Sequence, residues 1–191
     1  QQRLAIATAL AMHPGILVLD EPTSSLDAEG TRQVLQTLRR LNGLGTTIVV
    51  TEHRLDPIAE LAHRIVIIEQ GRIVMDGQPA DCLQRRDLLR RTGLYHLEAE
   101  IRRSRDEESL RGERQGSRRV LVEMRGVEVS FGETPVLRDL DMRLYEGDFA
   151  ALVGANGTGK STLTRVLAGL IKPRQGTIRI GNNGKFVPGK D

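Results

Sequence analysis

The chain has 191 residues, a formal net charge of +3, 39% hydrophobic residues and a single cysteine. That length allows one or two domains with a real core, and no apolar run reaches the roughly eighteen residues that a membrane helix needs. Cys82 alone excludes an internal disulfide and a cysteine metal pair, which suits a reducing cytoplasm. The opening Gln1-Gln2-Arg3 has no initiator Met and no signal peptide, as expected of a piece of something longer.

In chain order, residues 3–12 (RLAIATALAM) predict a buried, Ala-rich helix stopped by His13-Pro14-Gly15. ILVL at 16–19 is a continuous apolar run of strand length, which predicts a central parallel strand covered on both faces. It runs into Asp20 and Glu21, then a Pro-Thr-Ser-Ser turn, then Asp27. Asp27 can N-cap a helix that carries Val34, Leu35, Leu38 and Leu41 on one stripe and ends near Asn42-Gly43. TTIVVT at 46–51 predicts a second buried strand, with a short helix after it at about 57–62. RIVIIE and RIVMDG, joined by Gln70-Gly71, read as an antiparallel pair. Strand and helix alternating over short connections predict an α/β layer structure with a mainly parallel sheet flanked by helices.

The pattern changes after Leu97. The stretch 102–119 is rich in Arg, mixed with acids and free of aromatic residues. It reads as a solvated linker, with a nucleic-acid or membrane-surface contact as the alternative. Beyond it, VLVEMRGVEVSF and VLRDLDMRLY alternate as strands, and DFAALVG is another buried strand.

Two adjacent acids at the end of a buried strand are costly unless a cation or a reacting water sits beside them. A group they could serve appears late in the chain. DFAALVG leads into GANGTGKST at 154–162, which fits G-x-x-x-x-G-K-[ST] between a predicted strand and a predicted helix, KSTLTRVLAGL. Gly154, Gly157 and Gly159 let backbone N–H groups approach phosphate oxygens closely, with Ala155, Asn156 and Thr158 completing the loop. Lys160 supplies a cation for the outer phosphates, and Ser161, followed by Thr162, a hydroxyl for Mg²⁺. The helix N-terminus adds its dipole. A Gly-rich surface turn is the alternative reading; the pattern predicts a nucleotide site.

The stretches around both motifs explain why the acids come first. QQRLAIATALAMHPGILVLDEPTSSLD resembles the part of ABC-type ATPases that runs from just after the LSGGQ signature, through the Walker B strand, to the D-loop. TTIVVTEHR resembles their H-loop, and GRIVMDGQP the hairpin that follows it. VEVSFGETPVLRDLDMRLYEGDFAALVGANGTGKSTLTRVLAGLIKPRQGTIRIG is similar to the start of another such domain, from the aromatic A-loop to the strand after Walker A. The resemblance implies a P-loop NTPase fold of the ABC type, with an antiparallel β subdomain, present as two partial domains. Residues 1–97 would be the C-terminal half of a first ABC domain, 98–119 a charged linker, and 120–191 the N-terminal half of a second. The loop that partners Asp20 and Glu21 is then expected before Gln1, and the acids that partner Lys160 after Asp191. A pairing of the two halves into one permuted core is the other arrangement open to the chain, since together they hold Walker A, Walker B and the H-loop.

By the same resemblance, ATP and Mg²⁺ are the cofactors. Asp20 would help hold Mg²⁺, and Glu21 would polarise the attacking water and take its proton. His53 matches the H-loop histidine that contacts the γ-phosphate. Asp27 matches the D-loop, which crosses the interface to the partner domain, and this is compatible with its N-cap role. Phe131 falls where the family keeps an aromatic ring against adenine, though core packing would explain it equally. His13, His63 and His96 carry no motif.

TEHRLDPIAELAHRIVIIEQGRIVMDGQP resembles energy-coupling-factor and cobalt-type importer ATPases, with Arg54 departing from the Asp of most transport relatives. This implies an ATPase on the cytoplasmic face of a membrane complex that powers import of a metal ion or vitamin. Its partners would be transmembrane subunits and an intramolecular ABC domain, with no nucleic acid expected. A soluble ABC-F-type ribosome-associated ATPase and a non-catalytic nucleotide-binding module are the alternatives. The first lacks support from the Ser-His-Asp-Arg sequence and the apolar-striped helical linker typical of that group.

Overall fold

The computed structural model describes residues 14–52, 58, 61–94 and 118–181. The predicted helix at 3–12, His53, half of the predicted 57–62 helix and most of the linker lie outside them.

The first segment forms β1 (Ile16–Asp20), α1 (Ala28–Gly43), β2 (Thr47–Thr51), β3 (Arg64–Glu69) and β4 (Arg72–Gly77). Two short helices follow that the sequence reading did not foresee, α2 (Pro79–Gln84) and α3 (Arg86–Arg91). The second segment supplies β5 (Val120–Phe131), β6 (Thr134–Tyr145), β7 (Phe149–Val153), α4 (Lys160–Leu167) and β8 (Gln175–Ile180).

The two segments share one sheet. Its order is β1-β2-β7-β3-β4, so β7 lies between two strands of the first segment. It pairs in parallel with both, Ile48 opposite Phe149 on one side and Arg64 opposite Ala150 on the other. β3 and β4 are the predicted antiparallel pair. A second sheet, β6-β5-β8, is antiparallel throughout.

Side chains on a strand alternate between faces, and in the central strands both faces are apolar. Phe149, Ala151 and Val153 of β7 join Ile48, Val50, Ile65 and Ile67 in one core, closed by Val34 and Leu38 of α1 and by Cys82, Leu88 and Leu89 of α2 and α3. Ala150 and Leu152 join Val49, Val66 and Ile68 in the other, closed by Leu163, Val166 and Leu167 of α4 and the inner face of the antiparallel sheet. Each core therefore draws on both segments. Burying side chains such as Phe149 and Leu152 contributes about 1.5–3 kcal/mol each.

One expectation needs correcting. β1 is at an edge of the sheet among the described residues, and Ile16, Val18 and Leu19 are only half-buried. A continuous apolar run cannot by itself separate a central strand from an edge strand, because it carries no information about neighbours.

Polar groups also join the segments. The Asn42 amide donates to the carbonyls of Thr46 (3.0 Å) and, from the other segment, of Gly147 (2.9 Å). Gly147 N donates to the Thr47 hydroxyl at 2.9 Å, and His63 N to the Phe149 carbonyl at 3.0 Å. Asp148, 1% exposed, accepts from Tyr145 N and from the guanidinium groups of Arg64 and Arg118.

Cys82 is fully buried, and burial pushes its thiol up to about 12, with the neighbouring Asp81 charge adding to the shift. Thiolate is the reactive form, so alkylation at neutral pH should report unfolding of the chain. Mass spectrometry should show no adduct in native buffer and full labelling in denaturant. The sign for stability is the same: the folded state favours the protonated thiol, so stability falls as pH rises from about 9 toward about 12.

Candidate nucleotide site

The loop from Gly154 to Gly159 joins β7 to α4, as the motif predicts. Two of its glycines are required by close neighbours. A Cβ on Gly154 would lie 2.3 Å from the Ile68 carbonyl oxygen, and one on Gly159 would lie 2.8 Å from Leu137 Cδ2, at φ +105. Gly157 has open space around it. The loop is braced from the first segment by Gly71 N, which donates to the Thr158 carbonyl at 3.0 Å.

Lys160 opens α4 and is 5% exposed. Its ammonium donates to the carbonyls of Gly154 (2.8 Å) and Ala155 (3.0 Å), which folds the loop around the cation. Burial lowers its pKa from the ordinary lysine value, opposed by the charges of Glu21 and Asp20. The first N–H groups of α4 have no acceptor within the helix by construction. A buried cation, a glycine-rich turn and a helix N-terminus together fit the phosphates of a nucleotide.

The acids stand beside this loop. Asp20 Oδ1 accepts from the Ser161 hydroxyl at 3.2 Å and from the Thr51 hydroxyl. Glu21, at φ +47, donates its amide to the Thr51 carbonyl at 3.1 Å. Within these 191 residues Asp20 and Glu21 therefore stand beside the loop around Lys160, in the arrangement that pairs the two segments into one core. The physical reason is that β7 fills the slot between β2 and β3, which brings its C-terminal end level with that of β1. Asp20 and Ser161 fit Mg²⁺, which binds through one or two protein oxygens plus substrate phosphates. Among the described residues no cluster of three or more His, Cys, Asp or Glu could cage a metal.

The other candidates divide. Asp27 caps α1, its Oδ1 accepting from Gly30 N at 2.7 Å. Phe131 ends β5 and is 54% exposed, so core packing does not account for it. It pairs across the hairpin with Thr134, close in sequence to Val136, whose carbonyl lies 3.1 Å from a Cβ on Gly159. His53 lies outside the described residues. Ala155, Asn156 and Gly157 are exposed at the loop tip and Thr162 is half-buried on α4. Sequence reasoning missed Thr51, which ends β2, and Glu52 after it, which hold the acid-bearing turn; in sequence they read as a strand end and the flank of the H-loop motif.

A Gly-rich loop between strand and helix, with an acid-ended strand two places away in a mainly parallel sheet, defines a P-loop nucleotide-binding fold. Comparison with known proteins makes this specific. Residues 137–186 match the sequence model of the ABC transporter family. Relatives carrying the name "Putative ABC transporter ATP-binding protein" align along nearly the whole chain. One from Bacillus anthracis is 33% identical over 98% of this chain and 38% of its own length. One from Saccharolobus solfataricus is 31% identical over 100% and 38%, and one from Clostridium tetani 31% over 95% and 46%. The crystal structure of UvrA2 from Deinococcus radiodurans aligns with 87% of this chain and 20% of its own at 26% identity, with a TM-score of 0.32. The chain is thus similar to ABC transporter ATP-binding proteins along nearly its whole length, and it spans less than half the length of these curated relatives.

Proposed function

We propose that the chain is the middle of a tandem ABC ATPase that binds and hydrolyses Mg-ATP to drive import of a small solute, a metal ion or vitamin, through membrane subunits. The observation that carries the nucleotide chemistry is the 3.2 Å contact between Ser161 and Asp20, with Lys160 beside both acids. Lys160 and the α4 N-terminus would bind the phosphates and Ser161 would hold Mg²⁺ in the second domain's site of the parent, while Asp20 would hold Mg²⁺ and Glu21 would orient water and take its proton in the first domain's site; in this chain the two halves stand in for one another. Bound Mg²⁺ supplies charge neutralisation on the phosphates. Phe131 would stack on the base, His53 would contact the γ-phosphate, and Asp27 would reach the partner domain.

Support for the tandem reading comes from the order acids first, loop second, and from relatives that align with both segments in one run. On this reading residues 1–97 and 120–191 are complementary halves of two similar domains. β7 then occupies the place of its counterpart in the first domain, which is why the halves fit one sheet. The importer reading rests on the TEHRLD run at 51–56, and the predicted location is the cytoplasmic face of a membrane. Among the described residues no helix is long and apolar enough to cross one.

In the full-length parent, Glu21→Gln is expected to lower the rate of phosphate release by about 10²–10⁴-fold while nucleotide binding persists. An unchanged rate would remove Glu21 from the chemistry. The 191-residue chain alone is expected to bind Mg-ATP without turnover above background, because no LSGGQ signature is present in it. Steady hydrolysis that disappears on Glu21→Gln would contradict this.

A further inference from the structure

We propose that Glu52 is a positioning residue that fixes the turn carrying Glu21, and so aims Glu21 at the phosphate site; this rests on the role given to Glu21 above. Two consecutive residues at the end of β2 hold two successive parts of that turn. Thr51 takes the Asp20 carboxylate and the Glu21 amide. Glu52 Oε1 takes both the amide of Thr23, at 3.1 Å, and its hydroxyl, at 2.7 Å.

The burial is the reverse of what a solvated surface acid shows. Glu52 is 1% exposed, whereas Asp20 is exposed and Glu21 half-buried. A carboxylate is retained in such a place only when its hydrogen bonds are met. The turn it holds is itself unusual, since Glu21 sits at φ +47, a region that residues other than glycine avoid. Such a conformation persists when its surroundings over-determine it. Here the Glu21 amide is tied to Thr51, its carbonyl accepts from Ser24 N at 3.3 Å and Ser24 Oγ at 3.0 Å, and Glu52 anchors the intervening Thr23.

Glu52 also links this turn to the phosphate loop. Its backbone N donates to the Leu152 carbonyl at 3.3 Å, on the strand that leads into Gly154. In this chain one rigid strand end therefore relates the reach of Glu21 to the position of Lys160, and in the parent the first domain's counterpart of β7 would take that place. An error of about 1 Å in such a placement is enough to cost about a hundredfold in rate.

Two readouts test this with Glu52→Ala, which removes the acceptor, and Glu52→Gln, whose amide oxygen accepts the same two bonds without charge. The first is hydrogen–deuterium exchange of the nucleotide-free 191-residue chain. Glu52→Ala should raise exchange by about tenfold or more in peptides covering 21–26 and leave those covering 154–162 unchanged. The second is kinetics of the full-length parent. Glu52→Ala should lower kcat by about ten- to a hundredfold with KM for ATP within about twofold, and Glu52→Gln should recover most of the loss. Wild-type behaviour of Glu52→Ala in either readout overturns the proposal. So does Glu52→Gln that is as slow as Glu21→Gln, which would make Glu52 a base in its own right. Exchange raised throughout the chain would reduce Glu52 to general stability and overturn it too. A parent that does not hydrolyse ATP defeats the functional reading, and the exchange measurement still decides whether Glu52 fixes the turn.

Discussion

Lys160→Ala is expected to weaken binding of a fluorescent ATP analogue by about a hundredfold or more, as read by equilibrium titration. The ammonium holds the carbonyls of Gly154 and Ala155, so its loss removes both the cation and the tie that closes the loop. A charge-assisted hydrogen bond contributes about 1.5–3 kcal/mol, and several phosphate oxygens would lose theirs together. The change also leaves Asp20 and Glu21 without the cation that faces them, so an incoming polyphosphate would meet two carboxylates alone. The pH dependence has a definite sign. Burial lowers the Lys160 pKa in the free protein, so affinity should begin to fall at a lower alkaline pH than for an exposed lysine at 10.5. Retention of tight binding by Lys160→Ala would show that the loop is a surface turn.

Asp148→Ala is expected to cost about 3–5 kcal/mol in denaturant unfolding, because it leaves a buried guanidinium short of its partner. The Arg64 side chain is 16% exposed, and it donates to Asp148 Oδ2 at 3.1 Å and to both oxygens of Asp76. Burial lowers the Arg64 pKa, but the hydrogen bond and charge of Asp76, with the charge of Asp148, more than offset it and hold it above the ordinary value. Arg64 therefore stays charged when Asp148 is removed. Arg118 loses the same partner and keeps its place over the Tyr145 ring, 4.9 Å from the centroid. The pair joins the two segments, so the loss should appear as a lower unfolding midpoint for the whole chain. A buried pair can be neutral against apolar residues of similar size, so Arg64→Met combined with Asp148→Leu should be less destabilised than Asp148→Ala. Equal loss in the double variant would assign the effect to packing.

Much of this was legible in the sequence. Apolar runs located β2, β3 and β7, the alternation of VLVEMRGVEVSF marked a half-buried strand, and the G-x-x-x-x-G-K-S pattern placed Lys160 and Ser161 on the loop and helix where they stand. The order of strands was not legible. Whether β7 joins β2 and β3 depends on β3 standing a strand's width from β2 instead of pairing with it, and no local pattern records this. Buried polar residues were equally opaque. Asn42 read as part of a helix stop, whereas its amide reaches the Gly147 carbonyl, 105 residues away. Thr51 and Glu52 read as strand and motif flank, because their role depends on the turn that folds over them.

The place of β7 between β2 and β3 also sets a timetable. When the 191-residue chain refolds by itself, β3 and β4, which are neighbours in sequence, can pair before Phe149 to Val153 dock; Gly147 and the Thr47 hydroxyl it bonds are 100 residues apart. During that interval β2 and β3 each present an open, apolar edge, the kind of surface on which strands of neighbouring chains assemble. Contacts this distant along the chain also form slowly, since loop closure precedes any gain from them. The keystone arrives last, and the refolding chain is most exposed to aggregation just before it is set.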